Sequence, residues 1–234
     1  MSLLELIDVR KRHTNGGRAV TVLEHASLSL GAGELVAVWG LRGSGRTTLL
    51  RLAAGIDAPD AGVVRFDGRD LAVHGEEILG RELCWCQRSL RAGSARAAGE
   101  EVYVALLVNG VAPARARVRA SDALARVGAE DLATRPLREL DAGERTRLSL
   151  ARALSMHPRL LVIDEPAGGV ELSERDPILL LLREIADSGV AVLMTVGDAT
   201  GLTGADQALT IGEGELSASP KPRLAPVLPL RRAG

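Results

Sequence analysis

The sequence predicts an α/β fold built on a parallel sheet, and three observations carry that expectation. The runs at 35–39 (Leu-Val-Ala-Val-Trp) and 160–163 (Leu-Leu-Val-Ile) are continuously apolar, as in strands buried on both faces. A glycine-rich turn and a helical stretch over about 46–54 follow the first run. Further on, strands and helices alternate, which is the pattern of parallel strands joined by crossovers.

The elements follow in order. Leu4, Leu6 and Val9, then Val20 and Val22, then Leu28 and Leu30 alternate with period two between Asn15-Gly16-Gly17 and Gly31-Ala32-Gly33, so strands joined by turns are expected. Leu83-Cys84-Trp85-Cys86 reads as a buried strand. Cysteines two apart in a strand have Cα atoms about 7 Å apart, at the outer limit for a disulfide, and are expected to be small core residues. Over 88–136 alanine, arginine and leucine recur at helical spacing, predicting an inserted all-helical segment with an irregular lead-in near 91–96. A helix over 144–155, the strand at 160–163 and another helix follow, the last with Asp176 as N-cap and Pro177 at its first position. A buried strand is expected at 190–195, and a short strand pair ends near Leu216. The expected organisation is one domain over 1–218 and a disordered Pro- and Arg-bearing tail over 219–234.

Composition removes several function classes. The 29 basic and 30 acidic residues leave a net charge of −1, without the basic excess of a nucleic-acid binder. Aromatics are 2%, too few for base-stacking platforms. No apolar run reaches the length of a membrane span, and Glu5 and Asp8 interrupt the Leu3-Leu4 start where a secretory signal would stay apolar. A soluble cytoplasmic chain is expected. His13, His25, His74 and His157 are scattered, so a metal site made of protein ligands alone is not.

Two constellations carry chemistry. Gly40-Leu41-Arg42-Gly43-Ser44-Gly45-Arg46-Thr47 fits G-x-x-x-x-G-[basic]-[ST] and lies between a buried strand and a helix. Its glycines let backbone N–H groups curl around phosphates, the helix N-terminus adds its positive end, and Thr47 offers a hydroxyl to Mg²⁺. Arg46 stands where lysine is usual in this motif, longer and forked. The chain has only two lysines, Lys11 and Lys221, so the arginine also fits its composition. The strand at 160–163 ends in Asp164 and Glu165, at the carboxyl end of the sheet where ligands gather. Asp164 suits a Mg²⁺ held through water, and Glu165 suits orienting or deprotonating an attacking water.

In this order the elements resemble the ATP-binding subunit of ATP-binding cassette (ABC) transporters, from Leu3 to about Leu216. Gln87 matches the Q-loop, and Leu140-Asp141-Ala142-Gly143-Glu144 with Arg147 and Ala151-Arg152-Ala153-Leu154 matches the LSGGQ segment and its helix. Glu101-Val102 and Asn109-Gly110-Val111 look like the lipoprotein-release and macrolide-export branch. The resemblance implies an ABC-type P-loop fold, with a mixed or parallel core sheet, an antiparallel β-subdomain and an inserted helical subdomain. It implies ATP and Mg²⁺ as ligands. Gly40, Arg42, Gly43, Ser44, Gly45, Arg46, Thr47 and Thr48 would hold phosphates, and His13 would lie against adenine. Asp141, Ala142 and Gly143 would face the nucleotide of a second subunit. Thr47, Gln87 and Asp164 would serve the metal, with Glu165 and Gln87 catalytic.

Departures from the family pattern bear on turnover. Asp141, Ala142 and Glu144 replace Ser, Gly and Gln of LSGGQ, and a carboxylate aimed at a triphosphate is repulsive. Glu171 stands for the D-loop aspartate. Thr195-Val196-Gly197-Asp198 carries no H-loop histidine, a loss that by analogy with a missing transition-state donor costs on the order of 10²–10³ in turnover. The resemblance therefore implies an ATPase with weak or partner-dependent hydrolysis, peripheral on the inner face of the membrane. It would drive a separate transmembrane permease as a homo- or heterodimer. The alternative is a non-hydrolysing subunit paired with a more orthodox ATPase. A third class, a soluble relative acting on nucleic acid or ribosomes, usually carries two cassettes, and the near-neutral charge speaks against it.

Overall fold

Strand alternation decides which face of the central sheet each residue serves. The computed structural model of the protein describes residues 2–15, 18–86 and 95–219. In β3 (Leu35–Trp39), Leu35 and Ala37 enter one apolar cluster while Val36 and Val38 enter the other. In β7 (Leu160–Asp164), Leu161 and Ile163 join the first cluster, and Leu160 and Val162 the second. Both faces are covered, which is why these runs are apolar throughout.

Six strands form that sheet in the order β10-β9-β3-β8-β7-β6, with β6 at Leu83–Cys86, β8 at Ala191–Val196, β9 at Gln207–Gly212 and β10 at Glu215–Ala218. All neighbours are parallel except the β9–β10 hairpin at one edge, so the sheet is mixed. A second, antiparallel sheet has the order β2-β1-β4-β5, from the long strands β1 (Ser2–Asn15) and β2 (Arg18–Gly31), β4 (Ala61–Phe66) and the short β5 (Arg69–Asp70). Bulges interrupt the β1–β2 pairing, with Asp8 and His25 at positive φ.

Helix α1 (Arg46–Ala53) packs in the cluster that joins the two sheets, through Leu49, Leu50, Leu52 and Ala53. The other cluster holds α3 (Ala98–Val108), α4 (Pro113–Arg126), α5 (Ala142–Leu154) and α6 (Leu172–Asp187). Ala98, Val102 and Leu106 recur every four residues on α3 and are fully buried. Small residues Ala116, Ala120 and Ala123 of α4 are buried against the same cluster. A helical subdomain is thus present, though residues 87–94, which include Gln87 and part of the expected lead-in, lie outside the described residues, as do 220–234 of the expected tail.

Three local expectations change. Helix α6 starts at Leu172 with Glu171 as N-cap, so Asp176 and Pro177 are interior rather than terminal. Pro177 lies inside the helix, where it removes the N–H that would bond the Ser173 carbonyl. Helix α5 starts at Ala142, two residues earlier than expected, because Asp141 caps it. Helix α2 (Leu71–Ile78) lies in a stretch where the sequence pattern marks no element, although Asp70 is a side-chain N-cap for it. Cys84 and Cys86 are free and buried; burial pushes the Cys84 thiol up to about 12 and raises that of Cys86 as well.

Candidate functional site

Gly40 to Thr47 connects β3 to α1 at the carboxyl end of the sheet. Gly43 and Gly45 have φ of 87° and 103°, a left-handed region where other residues are strained. A Cβ on Gly45 would lie 2.9 Å from the Val22 carbonyl oxygen, and one on Gly40 would lie 2.5 Å from Ser44 Oγ. That Oγ is buried without a hydrogen-bond partner among the described residues, packed against Gly40 within the loop. Gly45 is the N-cap of α1, so the free amides of the first turn open toward the same place.

The two acids of β7 meet this loop. Thr47 Oγ1 donates to Asp164 Oδ2 at 2.7 Å. The other oxygen of Asp164 accepts the Thr195 hydroxyl, and Thr195 Oγ1 in turn accepts the Glu165 N–H at 3.1 Å. Glu165 has φ of 45°, a left-handed backbone that costs a non-glycine residue on the order of 1–2 kcal/mol. Its carboxylate takes Arg46 Nη2 at 2.5 Å, while Arg46 Nη1 donates to the Val196 carbonyl at 2.5 Å. Arg46 is 11% exposed and Glu165 29%.

A groove of about 430 Å³ is lined by His13, Val22, Arg42, Gly43, Gly45, Arg46, Thr47, Thr48, Asp164 and Glu165. All of these except Val22 are residues that the sequence marks, and more than 100 positions separate the loop from the acids. His13 Nε2 lies 3.1 Å from Thr48 Oγ1, which fixes the ring at the groove's edge. Sequence reasoning misses Val22, and it misses Thr195 and the Val196 carbonyl as partners of the site; no sequence signal marks a backbone carbonyl.

Asp141, Ala142 and Gly143 lie outside this groove, at the start of α5. Asp141 Oδ1 accepts Glu144 N–H at 2.8 Å, and Glu144 Oε2 accepts Asp141 N–H at 2.9 Å. This capping box engages Asp141 and Glu144, two of the three departures from the LSGGQ pattern, and Glu144 also pairs with Arg135. The D-x-x-E spacing is the signal available for it. Asp198 caps the short 3-10 turn Ala199–Leu202, and the hydrogen bond from the Thr200 hydroxyl holds its carboxyl below the usual range.

A strand, a glycine loop whose amides open from a helix N-terminus, and a second strand ending in two acids beside the loop define a P-loop nucleotide-binding protein. The profile of the ABC transporter family matches residues 23–168. The lipoprotein-releasing system ATP-binding protein LolD of Chromohalobacter salexigens is 36% identical over 220 residues, covering 92% of this chain and 93% of the relative. The macrolide export ATP-binding/permease protein MacB of Nitrosomonas europaea is 32% identical over 228 residues, covering 92% of this chain but 34% of that longer protein. The dimeric post-hydrolysis structure of the cassette MJ0796 bound to ADP and Pi superposes with a TM-score of 0.80 at 21% identity, over 92% of this chain and 98% of that one. The structure of cbiO1 from Clostridium perfringens gives 0.79 at 23% identity, over 92% and 87%. The chain belongs to the ABC transporter family, as an ATP-binding subunit with the ABC-type α/β fold. Among the described residues no helix is long and apolar enough to cross a membrane.

Proposed function

We propose that this chain binds Mg-ATP in the loop groove and couples binding, with slow or partner-dependent hydrolysis, to a separate membrane permease on the inner membrane face. The observation that carries the reading is the convergence of the loop, the Thr47–Asp164 oxygen pair and Glu165 on one groove. The residues fit a magnesium triphosphate. Gly43 and Gly45 supply the left-handed backbone that the loop needs, and a Cβ on Gly45 would press on the Val22 carbonyl at the groove wall. Thr47 and Asp164 are hard oxygen donors suited to a metal completed by phosphates and water. Magnesium, when bound, neutralises charge on phosphate oxygens. Arg46 adds positive charge beside the loop, and Glu165 is placed to orient a water and accept its proton. His13 offers its ring as the adenine-side wall, with Arg42 and Thr48 at the rim.

Asp141, Ala142 and Gly143 are assigned to the nucleotide of a second ABC subunit, identical or not, and Gln87 to the metal and the permease contact. The dimeric state of the MJ0796 cassette, which shares this fold, supports that assembly. The balanced charge supports no nucleic-acid partner. The test is equilibrium Mg-ATP binding to the purified chain, with Gly45→Val as control. Saturable binding is expected for the parent and none for the variant, because valine would meet the Val22 carbonyl; equal binding by both overturns the site.

A second reading, a subunit that binds nucleotide without hydrolysing it, is favoured by the ion pair that already engages Glu165. Glu165→Gln separates the two: lost turnover with retained binding supports hydrolysis by this chain. Unchanged turnover removes Glu165 from the chemistry.

A further inference from the structure

Arg46 points across the loop to the ends of β7 and β8 rather than along the groove. Its two terminal nitrogens bond two different acceptors, the Val196 carbonyl and Glu165 Oε1, each at 2.5 Å. A planar fork held at both prongs fixes the carboxylate it touches in direction as well as distance, which a single ammonium does not. The main chain of Glu165 is fixed separately, at φ 45° and with its N–H bonded to Thr195, so Arg46 acts on the carboxylate alone.

The neighbour that makes room is Gly197, which follows the bonded carbonyl. A Cβ built on it would meet only Glu165, at 3.7 Å from Oε1 and 3.8 Å from Cδ. A longer side chain from residue 197 would project at the same oxygen that Arg46 Nη2 already holds. The lack of a long side chain at 197 and the long forked one at 46 are therefore two halves of one arrangement.

We propose that Arg46 is the positioning residue for Glu165, and that the short residue at 197 is its complement, so that the two positions form a coupled pair. The inference rests on the ATP-binding reading above for its catalytic meaning. It also changes what the arginine means: the residue at 46 is built for this carboxylate, and substituting lysine removes a function.

The test is a cycle of four full-length proteins: parent, Arg46→Lys, Gly197→His and the double variant. Each is melted without nucleotide and assayed for Mg-ATP affinity and turnover. Arg46→Lys is expected to lower the nucleotide-free Tm and to reduce kcat by about 10²-fold. The loss in kcat should exceed any loss of Mg-ATP affinity, because an ammonium still serves phosphates. Gly197→His should also lower the Tm by competing for Glu165 Oε1, and the double variant should lose less than the two single losses combined. Gly197→Ala, whose Cβ has room, should melt like the parent; a loss equal to that of Gly197→His overturns the crowding argument. Additive melting losses overturn the pair. Turnover of Arg46→Lys at or above the parent's, a loss confined to affinity, or undetectable turnover in all four proteins overturns the positioning role. A parent that binds no Mg-ATP overturns the nucleotide reading instead, and the melting cycle still decides the pair.

Discussion

Thr195 shows how much one hydroxyl can organise. It is fully buried, donates to Asp164 and accepts from the backbone N–H of Glu165, so both acids of the β7 terminus are referred to one oxygen on β8. Thr195→Val keeps the branched shape and deletes that oxygen, leaving a carboxylate oxygen and an N–H short of a partner. The expected cost is about 1–3 kcal/mol in urea unfolding, with Thr195→Ser losing much less. Two other residues can be read by reagent. Cys84 and Cys86 are buried with raised thiol pKa values, so neither should react with a thiol reagent at about pH 8 in the native chain. Both should react on unfolding, and a fast native reaction would show that β6 opens.

The ends of elements are where reading the sequence succeeds unevenly. Buried strands β3, β7 and β8 are legible because burial on both faces leaves an unbroken apolar run. The loop between β3 and α1 is legible because its φ values demand glycine. Helix α2 escapes: Leu71, Gly75 and Ile78 are spaced as on one helix face, but the helix has only eight residues and one of the three is glycine. The start of α6 is misplaced because Pro177 looks like a beginning, whereas Glu171 at the N-cap position makes no side-chain cap bond and leaves no signature in the sequence. Of the groove, the phosphate loop, both acids and His13 are legible, whereas the destination of Arg46 depends on what residues 165, 196 and 197 leave open and has no local signature. The cap of α5 gives a test at this scale. Asp141→Ala should destabilise the chain by about 1 kcal/mol, and Asp141→Ser should restore nearly all of it, as read from chemical unfolding midpoints.

Across the whole molecule, the two sheets are joined by charge as well as by the cluster around Phe66. Arg159 bonds Asp67 at 2.7 Å and Glu82 at 3.2 Å, Arg69 bonds Glu82 at 2.8 Å, and both guanidinium groups lie over the Phe66 ring. The hydrogen bond from Arg69 is the leading cause that holds the Glu82 carboxyl below its ordinary 4.5. A carboxyl with a lowered folded pKa contributes stability that is complete above its unfolded value and disappears as pH falls through the folded one. Stability should therefore decline below about pH 4.5, and Glu82→Gln should flatten that decline by no more than about 1 kcal/mol, since the pair is part-exposed. Urea midpoints at about pH 7 and about pH 4 for parent and variant measure it.

The arginine in the phosphate loop also decides how this site can be labelled. Lys11 is the only lysine among the described residues, its amine bonded to the Ala58 carbonyl and Asp60, and Lys221 lies in the tail. Amine-directed nucleotide dialdehydes will find no loop amine to capture. Dicarbonyl reagents, which condense with guanidinium groups, are the chemistry matched to this groove, and protection by ATP would report its occupancy one side chain at a time.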